Sequence, residues 1–230
     1  MNYQYSYLWM DLIFLFFWLI LFFWRKDNRK EMLFISTLLG VVSIILEPLC
    51  FQDWWHPLTI TGTIPGIEDF LFGFVVGGIA AVIYEDFFKV GLKEKKRSKK
   101  KELINNLNLI GLFLLGLIII FLSFFFLDIN TFLSSSIIML ITIVVMYLKR
   151  PDLIQDSIFS GIMLTLLAFL VYTLVQIINP GWVESLWYFQ NVPHIIIFNL
   201  PIDDILWYFL AGALLGPLYE FWKQAKLVKK

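Results

Sequence analysis

The chain has 230 residues, of which 60% are hydrophobic and 18% aromatic, with a mean hydropathy of +0.80 and no formal net charge. That composition excludes a soluble globular domain and a disordered one, and places the chain in a bilayer. The single cysteine, Cys50, excludes an intrachain disulfide and has no metal-ligand spacing around it.

A membrane-crossing helix needs about 20 apolar residues. Seven runs qualify, near residues 7 to 24, 32 to 50, 67 to 88, 109 to 127, 132 to 148, 153 to 178 and 202 to 222. The first is expected to stay as a span: it has no basic segment before it and no small-residue cleavage site after it. Every Lys and Arg falls after an odd-numbered span, in "RKDNRK", at Lys89 and "KEKKRSKKK", at Lys149 and Arg150, and from Lys223 to Lys230. Segments 1 to 6, 51 to 66, 128 to 131 and 179 to 201 contain none. The bias of positive charge towards the cytoplasm then puts the N-terminus outside and the C-terminus inside. The basic run at 93 to 101 reads as a topogenic loop rather than a nucleic-acid surface, and no nucleic-acid partner is expected.

At an offset of 135, residues 67 to 85 match 202 to 220 identically at Ile67/Ile202, Asp69/Asp204, Leu71/Leu206, Phe74/Phe209, Gly77/Gly212, Tyr84/Tyr219 and Glu85/Glu220. Upstream, "FFWRKDNRK" resembles "MYLKRPDLI" and "IILEPL" resembles "QIINPG". The expected architecture is all-α, with two three-helix units, residues 1–92 and 131–230, joined by a basic loop and a connecting fourth helix, 93–130. An extra span between two odd-numbered units gives both the same orientation, a parallel three plus one plus three.

The repeated unit writes an acid doublet at the start of its last helix: Glu68 and Asp69, then Asp203 and Asp204. Helix N-termini favour carboxylates, which explains one acid per helix. Neighbouring positions point in different directions, so one of each doublet faces the bundle, where a carboxyl is a functional candidate. Glu47 and Asp11 lie at similar depth, and no basic residue shares that half of the bilayer. Carboxyls gathered without cations cannot all ionise in a low dielectric, so at least one is expected to keep its proton and act as a general acid, while the helix N-termini pull the other way by favouring the charged form. Glu68, Asp69, Asp203, Asp204 and Glu47 are therefore the candidate catalytic residues. Phe72, Trp54, Trp55, Trp207 and Tyr208 lie beside them as interfacial aromatics or as π faces for a cation, and are the candidate substrate-binding residues. Acids beside aromatic rings suit alkene chemistry through a carbocation.

Other features read as structural. Gly77, Gly78, Gly212, Ala213 and Gly216 either leave room for a substrate along helices 3 and 7 or let helices pack closely. Glu85 and Glu220 are expected to pair with Lys89 and Lys223. His56 and His194, with Asp53 and Glu184 nearby, provide too few ligands for a metal site. No strands and no Gly-rich turn are expected, so no nucleotide cofactor or any other cofactor is expected either.

The elements "PGIEDFLFG" and "PIDDILWYF", with the preceding "LEPLCFQDWWHP", resemble the lycopene cyclase domain of heterodimeric bacterial and fused archaeal and fungal carotenoid cyclases. The resemblance covers residues 7 to 222. It implies an enzyme of the cell membrane, a cyclase or isomerase acting on a lipophilic polyene: a carboxylic acid protonates the open end of lycopene, the cation closes a ring, and a base removes a proton without net redox change. The family favours Glu-Glu where this chain has Glu68-Asp69 and Asp203-Asp204. Two other readings stand beside it, a carotenoid hydratase and a transporter or binding protein of three plus one plus three helices. A rhodopsin is disfavoured because the seventh run has no Lys before Lys223.

Reporter fusions test the topology. Fusions within 93 to 101 should report cytoplasm and fusions within 183 to 190 the opposite side; a reversal at either loop would remove the parallel repeat.

Overall fold

The computed structural model describes residues 3–93, 98–189 and 192–229. Among the described residues, seven helices are long and apolar enough to cross a membrane. They are α1 (Ser6–Trp24), α2 (Arg29–Asp53), α3 (Ile67–Phe88), α4 (Lys99–Leu127), α5 (Thr131–Lys149), α6 (Ile154–Ile178, entered through a 3₁₀ turn at Pro151–Leu153), and a seventh span made of α8 (Ile202–Leu215) and α9 (Leu218–Lys223). A short helix, α7 (Trp182–Leu186), lies in the loop before the seventh span.

Helix α4 begins ten residues before its apolar run, because "KKKELINNLN" favours helix and continues the α4 ladder beyond the hydrocarbon. Ser98 caps it by accepting from the Lys101 N–H. The seventh span breaks at Pro217, which has no N–H for the carbonyl four residues back. That carbonyl, on Ala213, accepts instead from the Ser157 hydroxyl at 2.6 Å. The expectation of no strands is corrected by two small antiparallel pairs. β1 (Val90–Lys93) pairs with β4 (Lys226–Lys229), and β2 (Ile196–Ile197) with β3 (Leu200–Pro201). β1 and β4 form just after left-handed residues, Lys89 and Gln224, turn the chain out of α3 and α9.

The core is α3, wrapped by α1, α2, α6 and α8. The glycines of α3 and α8 are used for close packing and not to line the cavity, the second of the two expected uses. A Cβ on Gly77 would strike the Ile35 carbonyl and Leu39, and one on Gly212 would strike the Ser160 carbonyl and Gly161. Gly78 likewise gives space to Trp18, whose indole N–H donates to Ser36 at 3.0 Å. Outward faces are apolar and exposed, as at Leu148 (80%) and Phe126 (78%), which suits lipid rather than water.

Corresponding residues at the basic end make corresponding contacts. Arg25 donates to the carbonyls of Glu85 (2.8 Å) and Val90 (2.7 Å) and pairs with Asp27. Arg150 donates to the carbonyls of Glu220 (3.3 Å) and Ala225 (2.9 Å) and pairs with Asp152. At the opposite end the two long loops meet: Trp55 bridges to Trp187, the His56 N–H donates to Leu186, and the Tyr188 N–H donates to Trp54. Both acid doublets therefore lie at the same end of the bundle.

Replacing Gly212 by Val should destabilise the protein by about 1–3 kcal/mol through overpacking. The same change at Gly111, where an added Cβ meets nothing within 4 Å, should do far less. Thermal unfolding in detergent distinguishes the two.

Candidate active site

The four doublet acids are buried, but they do different things. Glu68 accepts the Ile60 N–H at 2.6 Å, tying down the loop that precedes α3. Asp69 caps its own helix by accepting from Gly66 N–H at 2.6 Å, and also accepts the Tyr7 hydroxyl at 2.9 Å. Asp203 accepts the Trp54 indole N–H at 2.7 Å, which links the second doublet to the first loop. Asp204 accepts the Tyr172 hydroxyl at 2.7 Å.

A cavity of about 190 Å³ opens among α2, α4, α5 and α8, and of the candidate acids it is lined by Glu47 and Asp204. All five candidate aromatics, Trp54, Trp55, Phe72, Trp207 and Tyr208, line it too. Below them the walls are apolar: Leu39, Val42 and Leu46 from α2, Leu112, Leu117 and Ile120 from α4, Ile138 and Met139 from α5, and Leu214 and Leu218 from the seventh span. From Asp204 to Leu218 the lining follows the seventh span for about 20 Å at 1.5 Å per residue. The cavity is thus long and oily, with carboxyls at one end. Helix α3 contributes Phe72, and the rest of the wall comes from other helices and, at Trp54, Trp55 and Trp187, from the two long loops. Asp203 borders a separate apolar groove with Phe132, Ile162 and Leu206.

The rings interlock. Phe72 stacks on Trp207 with centroids 5.8 Å apart, Tyr7 meets Trp55 edge-on at 4.7 Å, and Phe14 stacks on Tyr208 at 6.0 Å. A cation at the carboxyl end of the cavity would face this shell. One Glu47 oxygen is buried with no hydrogen-bond partner among the described residues, as are both oxygens of Asp11, whose side chain lies near Tyr7 and Asp69.

Two functional-looking groups escaped the sequence reading: Tyr7 and Tyr172, both buried and both lining the cavity. Tyr7 and Asp11 are four residues apart and so share one face of an apolar helix, a signal that could have singled them out. Tyr172 is a lone phenol deep in α6 and leaves a weaker trace. The histidines sit apart in their surroundings: His56 packs against Tyr188 and Phe51, His194 stacks on Phe189. Burial lowers the His56 imidazole below its ordinary value, so it is neutral at pH 7. Glu85 and Glu220 do not sit at a solvated edge. Both are buried, Glu85 accepts from the Asn28 side chain, and Lys223 pairs with Glu102 instead.

A multi-pass helical membrane protein with an elongated apolar cavity and carboxyls at one end is the class that fold and site define. A family model described as lycopene cyclase matches residues 4–87 and 130–222. The chain belongs to the lycopene cyclase family. The match falls in two segments that fit the two repeated units, and α4 lies almost wholly between them. No curated protein and no solved structure matches the chain.

Tyr7→Phe keeps the ring and removes the hydroxyl that Asp69 accepts. It should lower stability by about 1–3 kcal/mol, the penalty of a buried acceptor losing its donor. Tyr5→Phe, at a position 49% exposed, should leave it unchanged in the same denaturation assay.

Proposed function

We propose that the protein is a carotenoid cyclase that closes a ring at the open end of a lycopene-type polyene by proton transfer alone. The observation that carries this reading is the long apolar cavity with Glu47 and Asp204 at one end beneath a shell of aromatic rings. A polyene needs apolar walls along its length, and its terminal alkene needs a proton donor at the far end.

Glu47 and Asp204 divide the work. Asp204 accepts the Tyr172 hydroxyl at 2.7 Å and lines the cavity, which places it to receive a proton. Glu47 lines the same cavity with one buried oxygen that has no hydrogen-bond partner among the described residues, which places it to deliver a proton. Glu47 then gives its proton to the terminal double bond, and the resulting tertiary cation is attacked by the next double bond to form the ring. Asp204 takes a proton from a carbon next to the ring cation, and a new double bond forms. One proton enters and one leaves, so no redox cofactor is required. Trp55, Phe72, Trp207 and Tyr208 stabilise the cation through their π faces, at about 0.5–2 kcal/mol per well-placed ring. Glu68, Asp69 and Asp203 hold the loops and Trp54 in place.

The placement of the two units is part of the same proposal. Residues 1–92 and 131–230 are parallel copies about an axis along the membrane normal, with 93–130 as connector, N-terminus outside and C-terminus in the cytoplasm, in the cell membrane.

Expression in a lycopene-accumulating bacterium tests the assignment. The unmutated chain should convert lycopene to cyclic carotenoid, and Glu47→Gln and Asp204→Asn should each reduce product at least about 100-fold at equal protein level, since an amide cannot deliver or accept the proton. Asp69→Asn and Asp203→Asn should keep measurable activity. Cyclic product from the Glu47 and Asp204 variants at unmutated levels would refute these roles, and a hydroxylated acyclic pigment from the unmutated chain would replace ring closure by hydration.

A further inference from the structure

The repeated unit writes a second set of acids at the basic end of the bundle. Glu85 and Glu220 correspond at the offset of 135, and Glu31 and Asp156, each in the first turn of its helix, stand six residues after Arg25 and Arg150. All four are buried, at 0 to 2% exposure. Ligand oxygens of Glu31, Glu85 and Glu220 lie within 4.8 Å of one another, and Asp156 is in their electrostatic neighbourhood. Outside the carboxyl cluster neither oxygen of Glu220 has a hydrogen-bond partner among the described residues; within it, Glu220 meets the carboxyl of Glu85 and lies near those of Glu31 and Asp156.

We propose that Glu31, Glu85 and Glu220 form a binding site for one hard divalent cation, Mg²⁺, Mn²⁺ or Ca²⁺, that ties the two repeats together at this end. Like charges gathered in a buried pocket repel strongly, and an enclosed cation is the partner that reverses the sign. The donor set is all oxygen, which selects this class of metal over zinc or copper. Opposite oxygens across a Ca²⁺ shell stand about 4.6–5.2 Å apart and across Mg²⁺ about 4.0–4.2 Å, so the spacing leaves room for one ion of either kind. The nearby arginines feel the charges of Glu85 and Glu220 but spend their hydrogen bonds outside the cluster: Arg25 binds Asp27, Asp86 and backbone carbonyls, and Arg150 binds Asp152 and backbone carbonyls. Asn28 donates to Glu85 and Ser160 to Asp156, which orients two of the acids without filling the space around Glu220. Two ligands come from α2 and α3 and one from α9, so the ion would join units that are far apart in sequence. The site is at the opposite end from the aromatic cavity, and the inference does not depend on the cyclase reading.

Metal binding tests it directly. The full chain, purified in detergent and stripped with chelator, should bind about one Mn²⁺ per chain by loss of the free-ion electron paramagnetic resonance signal. Mg²⁺ or Ca²⁺ should compete, and at least one of the three ions should raise Tm saturably by several degrees. Glu220→Gln should abolish both effects; should that variant not fold, Glu31→Gln should weaken Mn²⁺ binding at least about tenfold. Absence of saturable binding of all three ions, or binding unchanged in the variants, would overturn the proposal and leave the four carboxyls neutralised by protons.

Discussion

The close approach of α3 to α2 and of α8 to α6 determines where everything else can lie. With Gly77 against the Ile35 carbonyl and Gly212 against the Ser160 carbonyl, these helix pairs meet backbone to backbone. No substrate-sized space can exist between such partners. The open volume is pushed to the other side, where α2, α5 and α8 diverge and α4 leans across. Lipid offers no hydrophobic gain for helix association, so packing at small residues and internal hydrogen bonds have to hold the bundle. The rotation that this packing imposes on α3 and α8 also determines which acid of each doublet looks inward.

That rotation explains how far the sequence could be read. Hydropathy alone places the seven spans, because twenty apolar residues in a row have few other uses. The doublets are legible as well, since charges in register within two apolar runs are improbable by composition. Which member of a doublet faces a cavity is not legible. Asp204 lines it while its counterpart Asp69 caps a helix and binds Tyr7, a difference made by the unequal loops packed above them. Glu85 and Glu220 were misread because a Lys three or four residues on normally signals a solvated helix edge. Their burial depends on the arrival of α2 and α6 from elsewhere in the chain. Pro217 was visible, but the Ser157 hydroxyl that accommodates the break belongs to another helix.

Two layers of carboxyls at opposite ends are the chemical outcome of duplicating one three-helix unit. Duplication copies residues, yet it does not copy surroundings, because each unit meets the other through a different face and α4 covers one side alone. At the loop end the copies have diverged, with Glu47 in one and Asn179 at the matching place in the other. At the basic end Arg25 and Arg150 keep the same backbone contacts. An asymmetric catalytic step, in which one group gives a proton and another receives it, fits the diverged end.

Helix α4 is the wall most weakly joined to the rest: only Leu109, Ile120 and Ser123 are buried along its 29 residues. Leu112, Phe113 and Leu117 face the cavity that runs just behind it, while the opposite face, with Leu114, Leu122 and Phe126, is exposed to the lipid phase. A polyene has negligible solubility in water, so the proposed enzyme meets its substrate as a solute of a two-dimensional fluid. Its effective concentration is then a mole fraction of the bilayer. Half-saturation would shift with the amount of membrane and not with the volume of buffer, and lipid acyl chains become the competing occupants of the same space.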